Sequence, residues 1–251
     1  MHRCIPCFLL LSVFAVGASA AQETERGPDG GTTYHVTGVE LLPIPNEPFS
    51  AHSRTDWTRT LEDGSTVKLY LEANLARDSQ GRIYRERRSF VPEGSNQQSR
   101  LNEIQIFDPV QHTKTICTVA TRHCILSNHR PQMSFTPMPS GPSAGGTRFL
   151  ARENIGTNMI ENLDVIGTRE TLTTSAGVVG NQEPLVTTRE FWYSSELQTN
   201  LAITRKDPRE GMQVVRLSNL SLSEPPAETF QVPEGYAVSD ARVPQRAQAQ
   251  R

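Results

Sequence analysis

The residues whose type and spacing best suit covalent chemistry are Cys117 and Cys124. They lie on two short runs, Thr113 to Val119 and His123 to Ser127, patterned like the arms of a β-hairpin. If Thr118 pairs with His123, alternation sets the two cysteines opposite each other on one face. An even pair of thiols in an exported chain suggests a disulfide. Such a bridge contributes roughly 2.5 kcal/mol by loop entropy. Register is decisive, because pairing Thr118 with Cys124 instead would separate the sulfurs. The alternative chemistry is zinc binding, since His112, His123 and His129 are near in sequence and thiolates with imidazoles suit that metal. Against it, His123 faces away from Cys124, its immediate neighbour along an extended strand.

Three other constellations offer weaker chemistry. Arg77, Arg82, Arg85, Arg87 and Arg88 form the densest positive stretch, which fits either an anionic partner or a solvated hairpin partly neutralised by Asp78 and Glu86. Base stacking would need interleaved aromatics, and only Tyr84 and Phe90 are near, so nucleic acid is not expected. Trp57, Tyr70, Tyr84, Phe107, Phe149, Phe191, Trp192 and Tyr193 would either line a ligand groove or fill a core. Ser194-Ser195 and Ser50-Ala51-His52 could be read as nucleophiles, but neither sits in a strained elbow or a Gly-rich loop. No phosphate loop or dinucleotide fingerprint occurs. Asn219-Leu220-Ser221 matches a glycosylation acceptor and carries little weight. Nothing nominates a catalytic residue, a metal ligand set or a cofactor.

The elements that must position these groups are strands. Val67, Leu69, Leu71, Ala73 and Leu75 alternate with Lys68, Tyr70, Glu72 and Asn74, which is the period of a strand with one buried face. Asp63-Gly64 before it is a hairpin turn signal. Further runs follow at Arg82 to Val91, Glu103 to Phe107, Arg148 to Ile155, Leu163 to Thr174, Leu185 to Tyr193, Leu201 to Arg205 and Met212 to Leu222. Asp207 to Gly211 is a turn, and Pro225 to Thr229 has room for one helical turn. Short runs joined by tight turns predict a mostly β fold: an antiparallel meander forming a curved sheet or unclosed half-barrel, with at most short helices.

The N-terminus sets the compartment. Arg3 precedes an apolar run from Phe8 to Val16, and Ala18-Ser19-Ala20 has the small-residue pattern of a signal cleavage site. The run is shorter than the roughly 20 apolar residues that span a bilayer. It predicts a signal peptide over 1–20, a mature chain starting at Ala21, and loss of Cys4 and Cys7. A flexible lead-in is expected over 21–48, a single β domain over 49–238 with a long Pro/Gly loop at 131–147, and a disordered tail over 239–251. Net charge is −2, so no global field draws the chain to nucleic acid or an anionic surface. Only Lys68, Lys114 and Lys206 stand against many arginines, whose forked guanidiniums favour bidentate contacts.

Several stretches carry a resemblance. They are Pro48-Phe49-Ser50-Ala51, Arg77 to Arg82 with Arg85-Glu86, Phe107-Asp108-Pro109-Val110, Trp192 to Leu197, Asp207 to Gly211, and Phe230 to Tyr236. In this order they resemble a family of uncharacterised secreted bacterial β-rich proteins. The C-terminal part is also similar, more distantly, to the periplasmic lipoprotein-carrier (LolA-like) superfamily, through a Trp-Tyr strand followed by a hairpin and a closing Phe-x-Val-Pro-x-Gly segment. That resemblance implies an unclosed barrel whose concave face holds acyl chains. The chain departs from it by the loop at Pro131 to Thr147 and by lacking recognisable long helices.

The expected function is an exported, periplasmic or secreted, non-enzymatic binding protein that holds an apolar or lipid-like ligand on a concave sheet face. The alternative is a structural or sensory envelope module that works through surface contacts with another envelope protein. A pocket of several hundred Å3 would favour the first and a packed interior the second.

Overall fold

Within residues 66–77 the period-two pattern holds from Leu71 to Leu75: Leu71, Ala73 and Leu75 are buried while Glu72 and Asn74 face out, whereas Val67 is exposed and Leu69 half-buried. The computed structural model describes residues 36–130, 134, 137 and 139–242. It contains β1 (Phe49–Thr60), β2 (Thr66–Arg77), β3 (Ile83–Arg88), β4 (Val91–Pro92), β5 (Leu101–Asp108), β6 (Thr113–Thr118) and β7 (His123–Asn128). After the Pro/Gly segment come β8 (Gly141–Pro142), β9 (Arg148–Ile160), β10 (Leu163–Thr174), β11 (Leu185–Ser194), β12 (Thr199–Asp207) and β13 (Gly211–Ser221). A 3-10 turn, Ala227–Phe230, and β14 (Ala237–Asp240) follow.

The strands form one open sheet in the order β14-β7-β6-β5-β3-β2-β1-β13-β12-β11-β10-β9-β8, with β4 beside β2. It is the antiparallel, mostly β architecture expected, and it does not close into a barrel. It is built as two meanders joined at the centre, where β1 pairs with β13 over Ser50↔Ser221 to Thr58↔Met212. Among the described residues the one parallel pairing is β14 on β7.

The two faces are covered by different ends of the chain. The inner face carries the register row Thr55–Val215–Ile203–Phe191 and the row Phe49–Arg77–Ile83–Phe107. Residues before β1 pack on it, with Val36, Val39 and Leu41 inside the same core cluster. The lead-in expected over 21–48 is therefore corrected for residues 36–48. His35 to Leu42 is an apolar-rich stretch, and Val36 is fully buried. On the outer face Ala76, Ile104 and Ile106 meet Cys117 and Cys124, and the C-terminal Phe230 and Tyr236 cap them. The disordered tail expected from 239 is also corrected, because Ser239 and Asp240 are ladder residues opposite Ile125 and Leu126. In the Pro/Gly segment, Gly141 and Pro142 pair with Leu150 and Phe149. The signal peptide, its cleavage after Ala20, the rest of the lead-in and the last residues of the tail lie outside the described residues. Among the described residues no helix is long and apolar enough to cross a membrane.

The cysteine hairpin has the four-residue turn. Thr118 pairs with His123 and Cys117 with Cys124. The two sulfurs are bonded, with their Cα atoms 3.9 Å apart. Both residues are fully buried. Replacing Cys117 with Ser should leave the β-type circular dichroism intact and lower stability by about 2.5 kcal/mol in non-reducing urea titrations. A variant as stable as the parent would mean that the bridge constrains nothing in the unfolded chain.

Candidate functional site

The sheet has a local split. β2 and β3 share only three ladder pairs, Leu75↔Arg85, Ala76↔Tyr84 and Arg77↔Ile83. Beyond Leu75 the two strands part. β3 stays with β5 as far as Arg88, and β2 stays with β1 back to Thr66. Two backbone donors on β2 then lack a strand partner, and side chains replace it. Asn74 N–H donates to Glu86 Oε2 at 2.9 Å, and Glu72 N–H donates to Ser99 Oγ at 3.1 Å. Buried backbone groups must be paired in this way when a ladder is interrupted. The carboxylate of Glu86 also accepts from Tyr84 Oη at 3.1 Å and Arg88 Nε at 2.7 Å. Burial pushes its pKa up, but these bonds to the charged form outweigh that and hold it below the usual carboxylate range.

A cavity of about 80 Å3 opens at this split, lined by Ser53 of β1, Leu71, Ala73 and Leu75 of β2, Arg85 and Arg87 of β3, and Val39 above them. Its floor is apolar, and its rim carries Arg85, Arg87 and Arg88 beside the carboxylate of Glu86. Ser53 is 2% exposed, and its hydroxyl has no hydrogen-bond partner among the described residues. Thr55, two residues along the same face, is also fully buried with an unpartnered hydroxyl.

The roof is a strap formed by residues 36–48, fastened at several points. Val36 N–H donates to Gln213 Oε1 at 3.0 Å. Glu40 accepts from Arg85 Nη1 at 2.8 Å through its side chain and from Thr199 Oγ1 at 3.2 Å through its carbonyl. Arg77 is the central fastening. Its guanidinium donates to three carbonyls: Glu47 at 2.9 Å, Leu42 at 3.0 Å and Leu197 at 2.8 Å. It lies over the Phe49 ring at 5.1 Å and is fully buried. Loss of hydration lowers its pKa to about 10, still charged at neutral pH.

The arginine stretch is thus distributed rather than pooled. Arg77 is internal, Arg82 pairs with Asp78, Arg85 with Glu40 and Arg88 with Glu86. Arg87 is exposed and makes no ion pair among the described residues. The three histidines near the cysteines do not converge. His123 Nε2 meets Ser239 Oγ at 2.8 Å, His129 tilts against Phe107, and His112 sits in a turn with φ 54°. Among the described residues no group of three His, Cys, Asp or Glu is arranged to hold a metal. Ser194 is fully buried and accepts the Leu197 N–H, and His52 faces Asn74. The aromatics are dispersed. Phe107 and Phe191 are core and Trp192 packs on it, while Trp57 bonds Glu210 O and meets Phe90 edge-on. Phe149 is 51% exposed.

A second arrangement escaped the sequence reading. The row Arg152–Glu170–Arg189–Arg205–Gln213 crosses five strands in continuous register on the inner face. Glu170 accepts from both Arg152 and Arg189, and Asp207 from Arg205 and Arg209. The strap, Ser53 and this row share one signal that alternation does carry. Ser53 and Thr55 fall in step with Phe49, Ala51 and Trp57, which marks them as inward-facing polar residues.

The sequence matches no protein-family model and no curated protein. Among solved structures, the chain is similar to one in the MucA/MucB complex of Pseudomonas aeruginosa, at 9% identity and a TM-score of 0.38. That match covers 75% of this chain and 56% of the other. A LolA superfamily protein from Nitrosomonas europaea is 10% identical with a TM-score of 0.28, covering 75% of this chain and 91% of that one. The lipoprotein LppX of Mycobacterium tuberculosis is 12% identical with a TM-score of 0.25, covering 73% and 89%.

Proposed function

We propose that this chain is an exported, periplasmic or secreted, non-enzymatic binding protein that takes an apolar or lipid-like ligand on the inner face of its sheet. The supporting observation is the way that face is covered. Its apolar rows, which share the face with the charged row from Arg152 to Gln213, are covered among the described residues by a short strap. The strap is tied down at Val36, Glu40, Leu42 and Glu47 and leaves a cavity over the β2–β3 split. A ligand would replace strap side chains such as Val39 and Leu41 and recover the same burial. The signal-like Arg3, Phe8 to Val16 and Ala18-Ser19-Ala20 support export.

A second reading rests on the cavity's size. About 80 Å3 is well below the roughly 300–1,000 Å3 of sites that enclose a drug-sized ligand. On this reading the inner face is permanently filled by the strap, and the protein acts as a structural or sensory envelope module through its outer surfaces.

Native mass spectrometry of the protein purified from its own envelope separates the two. Binding predicts a species heavier than the polypeptide by the mass of a lipid, lost after organic extraction. Polypeptide mass alone, together with no uptake of added fatty acid by the extracted protein, would support the structural module instead.

A further inference from the structure

We propose that the split between β2 and β3 receives the carboxylate end of an amphipathic molecule, with Arg87 as counter-charge and the Ser53 hydroxyl as an inner donor. This rests on the reading of the inner face as a ligand surface and names the ligand's charged group.

Register brings the two residues to one line. Leu217 opposes Ser53 and Ser53 opposes Ala73. On the far side of the split Arg87 opposes Glu103. The pairing Leu75↔Arg85 continued by two residues along each strand would set Ala73 against Arg87. Instead the strands diverge there, and the cavity takes the place of that missing pair. A ligand entering the cavity therefore lies between the Ser53–Ala73 side and Arg87.

Each wall lacks one partner that a carboxylate supplies. The Ser53 hydroxyl is buried without a hydrogen bond among the described residues, an unfavourable arrangement that an incoming acceptor would relieve. Arg87 makes no ion pair among the described residues, whereas its neighbours Arg85 and Arg88 are committed to Glu40 and Glu86. Glu103, opposite Arg87, accepts from Gln105 Nε2. A carboxylate has acceptor lone pairs for both donors and no proton to place at neutral pH. Size agrees with a site for one end of a ligand, since about 80 Å3 is far below the roughly 300–1,000 Å3 of sites that enclose a whole drug-sized molecule. Leu71, Leu75 and Val39 line the cavity's apolar side and point to the course of the tail, beneath the strap.

The test titrates the full chain and its Arg87→Gln and Ser53→Ala variants with dodecanoate, dodecanol and acetate by calorimetry. Arg87 is exposed, so its variant keeps the fold. The parent should bind dodecanoate more tightly than dodecanol, and acetate not measurably. Arg87→Gln should weaken dodecanoate by about tenfold, the scale of one hydrogen bond to a charged group, and leave dodecanol unchanged. Ser53→Ala should weaken dodecanoate and melt no lower than the parent, because it removes an unsatisfied hydroxyl. Acid and alcohol binding equally, and equally to Arg87→Gln, would overturn this site while leaving the apolar-ligand reading in place. Acetate binding as well as dodecanoate would make the site one for small free anions and overturn the amphipathic ligand. No binding of any probe would overturn both readings.

Discussion

Arg77→Ala should destabilise the protein by about 3–5 kcal/mol in urea titrations followed by circular dichroism, a large share of the 5–15 kcal/mol that holds a typical domain together. Two effects oppose each other. Removing the guanidinium relieves the desolvation that lowers its pKa to about 10. It also strips the carbonyls of Leu42, Glu47 and Leu197 of their donor. Bonds from a charged donor contribute about 1.5–3 kcal/mol each, so three of them exceed the relief. The three carbonyls belong to two strap positions and the β11–β12 turn, so no single small shift can satisfy them again. Arg77→Lys should recover less than half of the loss, because an ammonium on a flexible stem does not match a planar fork spanning three acceptors. The strap should become the first site of cleavage in limited proteolysis of either variant. A loss below about 1 kcal/mol would show that the carbonyls find water when the arginine goes, and that the strap is held by its apolar residues alone.

Gly211→Ala should be nearly as damaging, by about 2–5 kcal/mol. Gly211 closes the β12–β13 hairpin opposite Asp207, with φ +85°. A side chain there meets two separate penalties. The left-handed backbone region costs an alanine about 1–2 kcal/mol. The new Cβ would lie 2.2 Å from Thr58 O and 3.0 Å from Arg59 Cα, both backbone atoms of β1. Relieving that overlap by moving the hairpin adds about 1–3 kcal/mol. Gly64→Ala is the matched control, with nearly the same φ, +81°, and no atom within 4 Å of its Cβ position. It should lose only the backbone part. Equal melting temperatures for the two variants would mean that β1 and the hairpin do not touch in solution as they do here.

The Asp207 to Gly211 turn was readable from residue types, but the reason its glycine cannot be replaced was not. The same division runs through the molecule. The strand over residues 66–77 and the two arms of the cysteine hairpin depend on neighbours a few residues apart. Alternation and turn chemistry therefore announce them before any folding is known. The burial of Arg77 was half legible. It continues the inward set Leu71, Ala73, Leu75 by one more step, yet its charge grouped it with the exposed arginines that follow. Ser53 was legible in the same way and passed over for the same reason: a polar type outweighed an inward position.

What residue order alone determined is local: the alternating strands, the turns between them, the Cys117–Cys124 pairing and the signal-like first residues. What only the tertiary structure decided is every association between distant parts of the chain. β1 lies at the centre of the sheet against β13 rather than at an edge, residues 36–42 cover the inner face, β14 returns to β7, and β2 and β3 part over Ser53. The physical reason is that a strand's period specifies which side chains face inward but not which strand lies beside it. Backbone ladders accept almost any partner, and the choice among them is made by the summed burial of both faces once the whole chain has collapsed.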